Sequence, residues 1–588
     1  MPSNQNFVNQ KIRNFRQALA RVDALPQLSL LAVIVGVMVG LLIVAFRIAL
    51  ESAHLFLPMD SAEGFESLSP SLRIVVILSG TLVIAITLQT LDKYKRQMSV
   101  SHVIDRLHNH QGNMPGANII AQFILATVAV WSGQSVGREG PAVHLGAGTA
   151  SKIGQWMRLP NNSMQTVLAC GIAAAISASF DTPLAGVIFA MEVVLMEYTI
   201  VSFVPVILSS VIGAAICKGI LGSSVIFNVD VASISSLLEL GFIVTAGLAI
   251  AISAGVFIKL NLLTLKYAKQ SIALRISAAG ILTAAVAVFV PEIMGLGYDT
   301  IQATLNGEIL VGALIVITLA KLLVTPIVIG LGTPGGLIGP SLFVGACSGF
   351  LLGALAQTLF PNLNINLSVY VLLGMTGMMA AVMNAPLAAL VAVLELSNTA
   401  NIIFPAMLMI VVACIATRQL FGVRGIFVEQ LCQSGKDLEV GPAARALRRV
   451  GVLSIMNRHF IIADEIITKE NAQYILTRQP QWIVFSHEDR LFGLVASDLA
   501  HFLDNLPEAL QTDDAEIRLS EVPGRRHMLQ AVLERESLYD AFVAMRKTSC
   551  KVIYVTSNVH SHRSIHGLIT LEAIQNHYQP KEITSALD

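Results

Sequence analysis

The chain has 588 residues, 54% of them hydrophobic and 13% charged, with 38 Lys and Arg against 38 Asp and Glu and a mean hydropathy of +0.69. Ordinary soluble globular domains, with about 25% charged residues, are excluded. A net charge of zero also gives no reason to expect a polyanionic partner, nucleic acid included.

In chain order, Lys11, Arg13, Arg16 and Arg21 precede a first apolar run, Leu30–Ile48. Lys93, Lys95 and Arg96 follow a second run, Ile74–Leu91. The intervening loop carries Glu51, Asp60, Glu63 and Glu66, with Arg73 only at its far end. The positive-inside rule therefore places segment 1–29 in the cytoplasm and returns the second span there. The first run is too long for a secretory signal and lacks a small-residue cleavage site. Leu238–Ile258, Ile309–Leu331 and Val369–Glu395 read as further spans. Residues 30–434 thus form an α-helical, multi-pass membrane domain. After Gly435 charged residues become frequent and no run is long enough to cross a bilayer, so 435–588 reads as a separate cytoplasmic α/β domain with its own core.

Inside the membrane domain stands Gly137-Arg138-Glu139-Gly140-Pro141. An ionisable residue at bilayer depth costs roughly 3 kcal/mol or more and marks function by default. Glycines permit a sharp turn and close backbone approach, and Pro141 suits the first turn of a helix. A glycine-rich break running into a helix N-terminus is an anion site. The expectation is that this segment holds and passes an anion, with Glu139 competing for the same positive potential. A buried structural ion pair between Arg138 and Glu139 is the plainer alternative.

The membrane domain repeats itself. Phe180–Glu192, with its Pro-Leu-Ala and closing Glu, aligns with Met383–Glu395. Gly137–Gly146 aligns with Gly336–Gly345, matching Gly137, Gly140 and Pro141 to Gly336, Gly339 and Pro340. Two matches in the same order indicate two related halves, as in transporters that bind substrate where broken helices of both halves meet. The spacing alone leaves open whether the halves run parallel or inverted. Gly171, Gly186 and Gly374 read as close-packing residues.

These motifs resemble the CLC family of chloride channels and chloride–proton antiporters, over roughly residues 30–430. The resemblance implies an inverted-repeat membrane fold with broken helices, a homodimer with one anion pathway per subunit, and Glu139 as the external gate. It also implies an anion path lined by Arg138, Gly140, Leu337, Ile338 and Gly339, and by a central site at Met98, Ser99 and Val100 together with Phe427. Three positions depart from the antiporter pattern. An ungapped count places Met98 where the family has an anion-contacting serine, although a shift of one residue restores Ser99. Phe427 stands in place of a tyrosine and offers no hydroxyl, so the central site is expected to bind weakly and less selectively. Val193 occupies the place of the inner proton-relay glutamate and carries no proton. Glu192 and Glu395 match a more structural carboxylate, expected to bond helix to helix.

Other polar residues have plainer readings. His144 reads as a helix-packing residue, and Asp181, before Thr182-Pro183, as a helix cap. Lys218, Lys259, Lys321 and Arg418 read as side chains that snorkel from span ends. Cys170, Cys217, Cys347, Cys414, Cys432 and Cys550 are scattered without a C-x-x-C pair and read as packing residues. With neither a metal-ligand cluster nor a nucleophile–base set, no metal, cofactor or enzymatic activity is expected.

Within 435–588, segments 450–503 and 528–578 read as two similar units, each a helix, a strand pair and a second helix. The strands are Trp482–Phe485 and Leu491–Ala496, then Lys551–Val555 and Ile565–Thr570. The pair resembles cystathionine-β-synthase-type (CBS) domains. That resemblance raises adenine nucleotide as a ligand, but Ala496-Ser497-Asp498 and Thr570-Leu571-Glu572-Ala573 depart from the ribose-binding pattern. A dimerising, structural module is the favoured expectation.

The leading functional expectation is a gated chloride channel or uniporter with weak or absent proton coupling. The alternatives are a chloride–proton antiporter, a fluoride exporter, or a membrane sensor with a vestigial pore. The expected partners are chloride or another small anion, membrane lipid and a second copy of the chain, in a bacterial inner membrane with both termini cytoplasmic.

Overall fold

In a computed structural model of the protein, the described residues are 19, 24–55, 57–59, 64–198, 200–222, 227, 236–436, 446–488, 490–506, 515–557 and 564–578. They divide into two compact units, one of Leu28–Met157 with Gln165–Leu438, the other built on Glu439–Asp588.

Among its described residues, the regular elements of the larger unit are all helices. Its helices are α1 (Leu25–Glu51), α2 (Pro70–Thr90), α3 (Val100–Asn109), α4 (Gly116–Trp131), α5 (Glu139–Trp156) and α6 (Asn161–Phe180). Then come α7 (Pro183–Phe189, continued by a wider turn over Ala190–Leu195), α8 (Ile200–Leu221), α9 (Leu237–Leu265), α10 (Ile272–Ala287), α11 (Tyr298–Leu305) and α12 (Val311–Gly330). The last are α13 (Ile338–Leu359), α14 (Leu367–Met383), α15 (Pro386–Ser397), α16 (Ile403–Phe421) and α17 (Ile426–Gln433). Among the described residues eight helices are long and apolar enough to cross a membrane.

The repeat read from sequence organises the centre of this unit. Helices α5, α6, α13 and α14 are its most buried, whereas α1, α2, α8 and α12 turn apolar faces outward. Small residues let the central helices touch backbone to backbone. A Cβ built on Gly171 would stand 2.4 Å from the Gly146 carbonyl, and one on Gly374 would stand 2.2 Å from the Gly345 carbonyl. The same contact thus recurs in each half, and it explains why small residues hold these positions.

Two expectations need correction here. Val369–Glu395 is not one span but two helices, α14 and α15, separated by a break. Asn384 takes the left-handed conformation (φ 55°) and Pro386 opens the next helix, since asparagine tolerates that conformation and proline belongs in a first turn. The first half breaks in the same way. Asp181, expected to be a cap, instead takes the left-handed turn (φ 57°). Thr182 occupies the cap position of α7, and the Asp181 carboxylate lies 3.8 Å from Lys218 Nζ.

The smaller unit carries a six-stranded sheet in the order β1-β3-β4-β6-β7-β8. Its strands are β1 (Phe460–Ile462), β3 (Trp482–His487), β4 (Arg490–Val495), β6 (Arg526–Leu533), β7 (Val552–Thr556) and β8 (Ile565–Thr570). A two-stranded ladder, β2 (Ile466–Thr468) with β5 (Glu516–Arg518), stands beside it. Parallel pairing of β1 with β3 and antiparallel pairing of β3 with β4 recur as β6 with β7 and β7 with β8. Helices α18 (Lys469–Thr477) and α19 (Ala496–Asp504) serve the first unit, α20 (Leu538–Thr548) and α21 (Leu571–Tyr578) the second. The expected duplication is therefore present. Helix α20 starts with a capping box: Ser537 Oγ accepts from Asp540 N–H, and Asp540 Oδ2 accepts from Ser537 N–H at 2.9 Å.

Candidate functional site

The two halves meet at Gly137 and Gly336, which exchange backbone hydrogen bonds: Gly137 N–H to Gly336 O at 2.8 Å and Gly336 N–H to Gly137 O at 2.7 Å. Each glycine stands two residues before a helix, α5 or α13, so both N-termini converge. The pairing is antiparallel between equivalent residues, so the two halves meet about a local two-fold. Converging N-termini add their unpaired N–H groups and positive dipole ends at one place.

Glu139, the first residue of α5, is buried. Its Oε2 accepts from Gly339 N–H at 3.0 Å, in the first turn of α13. Its Oε1 accepts from the Tyr298 hydroxyl. The carboxylate of one half therefore fills the helix N-terminus of the other. A Cβ at 339 would lie 2.6 Å from Glu139 Oε1, so a side chain there would push the carboxylate from this seat. Leu337 and Ile338, at the same N-terminus, are buried, as is Gly140 beside Gly336.

Arg138, beside it in the chain, makes contacts of its own. Its Nη2 donates to Ser179 O at 3.2 Å. Its guanidinium carbon lies 5.2 Å from the centre of the Phe180 ring and 5.1 Å from that of Tyr298, within cation–π range. Arg138 thus braces the end of α6 against Tyr298.

Tyr298 was not legible as a site residue, since nothing in Gly297-Tyr298-Asp299 marks it. Lys321 was misread. It is not a snorkelling side chain but wholly buried, with Nζ donating to Ile293 O at 2.8 Å and Gly295 O at 3.2 Å and lying 4.8 Å from the Phe343 ring centre. It fixes the loop that leads into α11 and so places Tyr298. Its midpoint position in α12 is what separates it from span-end lysines.

At the second site, Ser99 is the N-cap of α3, its hydroxyl accepting from His102 N–H at 3.1 Å and lying 2.7 Å from Ser101 Oγ. Met98 precedes the cap and Val100 is the first helical residue, buried. Phe427 is buried in the first turn of α17, which packs against α3. Val193 is buried in the wide turn after α7. Around that turn, His108 Nε2 lies 3.0 Å from Val194 O.

His144 is a partner rather than simple packing. His102 Nδ1 and His144 Nε2 are 3.0 Å apart, and Arg106 Nε donates to His102 Nε2 at 3.1 Å. Arginine cannot accept, so His102 Nε2 is the acceptor, Nδ1 carries the proton, and His144 Nε2 receives it. His144 Nδ1 then carries a proton and is buried without a hydrogen-bond partner.

Comparison with known proteins agrees with this geometry. The family model described as "Voltage gated chloride channel" matches residues 80–418. A "Putative chloride channel protein ClcB-like" of Ralstonia nicotianae is 26% identical over 433 residues, covering 70% of this chain and 99% of that protein. An "H(+)/Cl(-) exchange transporter ClcA" of Vibrio cholerae is 28% identical over 323 residues, covering 53% of this chain and 68% of that one. Among solved structures, a eukaryotic CLC transporter overlays with a TM-score of 0.57 at 17% identity, covering 93% of this chain and 97% of its own, so the shared fold extends into the C-terminal unit. The protein is thus an integral, multi-pass membrane transporter built on inverted repeats. The chain belongs to the voltage-gated chloride channel (CLC) family of anion transporters.

Proposed function

We propose that this protein is a gated chloride channel or uniporter in which Glu139 is the external gate and proton coupling is weak or absent. One observation carries the reading: the Glu139 carboxylate takes the Gly339 N–H at the start of α13, a position that suits a small anion once the carboxylate leaves. Arg138, Gly140, Leu337, Ile338 and Gly339 then surround an outer anion site. Ser99, Val100 and Phe427 border a central one, where the Ser99 hydroxyl is already engaged with the backbone of its own helix and Phe427 offers only a ring edge. Weak coupling follows from Val193, which cannot carry a proton, and from the engagement of Glu192 and Glu395 with backbone N–H groups.

A chloride–proton exchanger is the rival reading, favoured by the name of the Vibrio cholerae relative and by the intact Glu139. The protein works as a homodimer, with both termini cytoplasmic in a bacterial inner membrane. Its C-terminal unit is a CBS-type pair with a structural rather than nucleotide-binding task. In support, Asp498 Oδ2 is occupied by Arg525 N–H at 3.1 Å and Thr570 Oγ1 by Ala573 N–H at 3.1 Å.

Purified protein in liposomes tests the reading. With a chloride gradient imposed and voltage held near the chloride equilibrium potential, chloride flux with flat external pH is expected. Protons driven uphill as chloride runs down would establish the exchanger instead.

A further inference from the structure

We propose that Tyr298 is the latch of the gate: its hydroxyl holds the Glu139 carboxylate in the outer anion site and so sets the pH at which the pathway opens. The inference rests on the reading of Glu139 as a gate and adds the group that works it.

Among the described residues, the carboxylate takes hydrogen bonds from two donors, Gly339 N–H and the Tyr298 hydroxyl. The first is backbone and present whatever residue stands there. The second is a side chain from a separate element, α11. Phe180 and Phe227 stand around it, with ring centres 6.3 Å from that of Tyr298 in both cases. The ring is also fixed in place. Gly297, with φ 81°, turns the chain into α11, Lys321 ties the preceding carbonyls of Ile293 and Gly295, and Arg138 lies across the ring face. A hydroxyl this well placed on a buried carboxylate is a charge-assisted donor, about twice as strong as a neutral one.

Other charged or titratable groups lie around the latch. Arg138 lies over the Tyr298 ring, Lys321 donates to Ile293 O and Gly295 O in the loop before it, and Asp299 follows it on α11. His144, on the gate's own helix, is engaged with His102 of α3. The remaining groups of α3 face elsewhere: Arg106 donates to His102, Asp105 accepts from Lys436, and His108 lies against Val194 O. Among the described residues Tyr298 alone offers Glu139 a side-chain donor.

The donated bond favours the ionised, seated carboxylate over the protonated one that leaves. A halide entering the site keeps the same donor through a longer, weaker bond, because a carboxylate oxygen is smaller and more basic. Removing the hydroxyl therefore costs the closed state more than the open one.

The test is chloride efflux from liposomes between pH 4 and pH 8 for four proteins: wild type, Tyr298→Phe, Glu139→Gln and the double variant. Tyr298→Phe is expected to move half-activation by about one pH unit toward alkaline, a tenfold change in the closing equilibrium, and to raise flux at pH 7. The double variant is expected to match Glu139→Gln. If Glu139→Gln abolishes the pH dependence while Tyr298→Phe follows wild type, the latch is overturned and the gate stands. If Glu139→Gln leaves the pH dependence intact, the gate reading itself falls. Should Tyr298→Phe be poorly recovered, Tyr298→Trp keeps an aromatic ring without the hydroxyl and must show the same alkaline shift.

Discussion

Glu192 and Glu395 cap each other's helices. Glu192, near the end of the segment that begins at Pro183, accepts from Leu387 N–H at 3.3 Å and Ala388 N–H at 2.7 Å, at the start of α15. Glu395, near the end of α15, accepts from Leu184 N–H at 3.0 Å and Ala185 N–H at 2.7 Å, at the start of α7. Proline opens both helices, and their next N–H groups have no partner within the helix. Each half thus supplies the cap that the other lacks, and the two broken helices stabilise one another.

The reciprocity predicts equal penalties. Glu192→Ala and Glu395→Ala should each cost about 1–2 kcal/mol and lower the thermal aggregation midpoint in detergent by similar amounts. Glutamine, which keeps one acceptor oxygen, should recover part of the loss. A Glu192→Ala protein as stable as wild type but altered in flux would mean that this carboxylate serves transport rather than the fold.

How far the sequence could be read follows from where the information sits. The halves were legible because each repeats a pattern whose geometry depends on small residues and proline: Gly137 with Gly336, Pro183 with Pro386. The break at Asn384 was missed because hydropathy averages over one polar residue in an apolar run, while the chain direction turns on a single φ. Glu139 announced itself by cost, as a charge in hydrocarbon. Tyr298 did not, since tyrosine is an unremarkable residue at a helix start and the loop before α11 carries it to α5 only in three dimensions. Lys321 was misjudged for a related reason. Depth within a span can be counted from sequence, but its partners, the carbonyls of Ile293 and Gly295, lie in a distant loop.

Lys321 gives a second prediction. Lys321→Met keeps the apolar stem and deletes the donor, leaving two buried carbonyls without their partner, at about 1–3 kcal/mol per unsatisfied group. Lower thermal stability is expected together with a flux–pH profile displaced in the direction of Tyr298→Phe, because the same loop seats the phenol. Lys321→Arg would not rescue it, since the planar guanidinium does not fit the space of an ammonium. Unchanged stability and pH profile in Lys321→Met would remove the loop from the gate's support.

The C-terminal unit should respond to pH on its own account. Burial, and then the nearby Asp540 charge, push the Glu536 carboxyl from 4.5 up to about 7. Its protonated form is thus favoured in the folded state. The resulting stabilisation is full below pH 4.5 and is lost as pH rises through 7. At pH 8 the ionised group therefore costs the fold on the order of 3 kcal/mol relative to acid conditions. Glu536→Gln should protect this unit from limited proteolysis in the full-length protein at pH 8 and make little difference at pH 4.5. Protection that is equal at both pH values would show that burial, rather than charge, is what the substitution changes.

Val193 offers a gain of function. It is buried in the wide turn after α7, the turn against which α3 packs. His108 already reaches this turn, so a carboxylate introduced here would have a titratable neighbour within its surroundings. Val193→Glu is expected to make protons accompany chloride in liposomes, seen as uphill alkalinisation or acidification against a chloride gradient that leaves wild-type external pH flat. Val193→Gln, of matching size and without a titrating proton, separates the proton from the polarity: it should leave pH flat. The carboxylate enters a position shaped for a branched apolar side chain, so a loss of stability of about 1–3 kcal/mol is expected for both variants. If Val193→Glu folds, carries chloride and still moves no protons, the side chain at 193 does not by itself decide proton coupling.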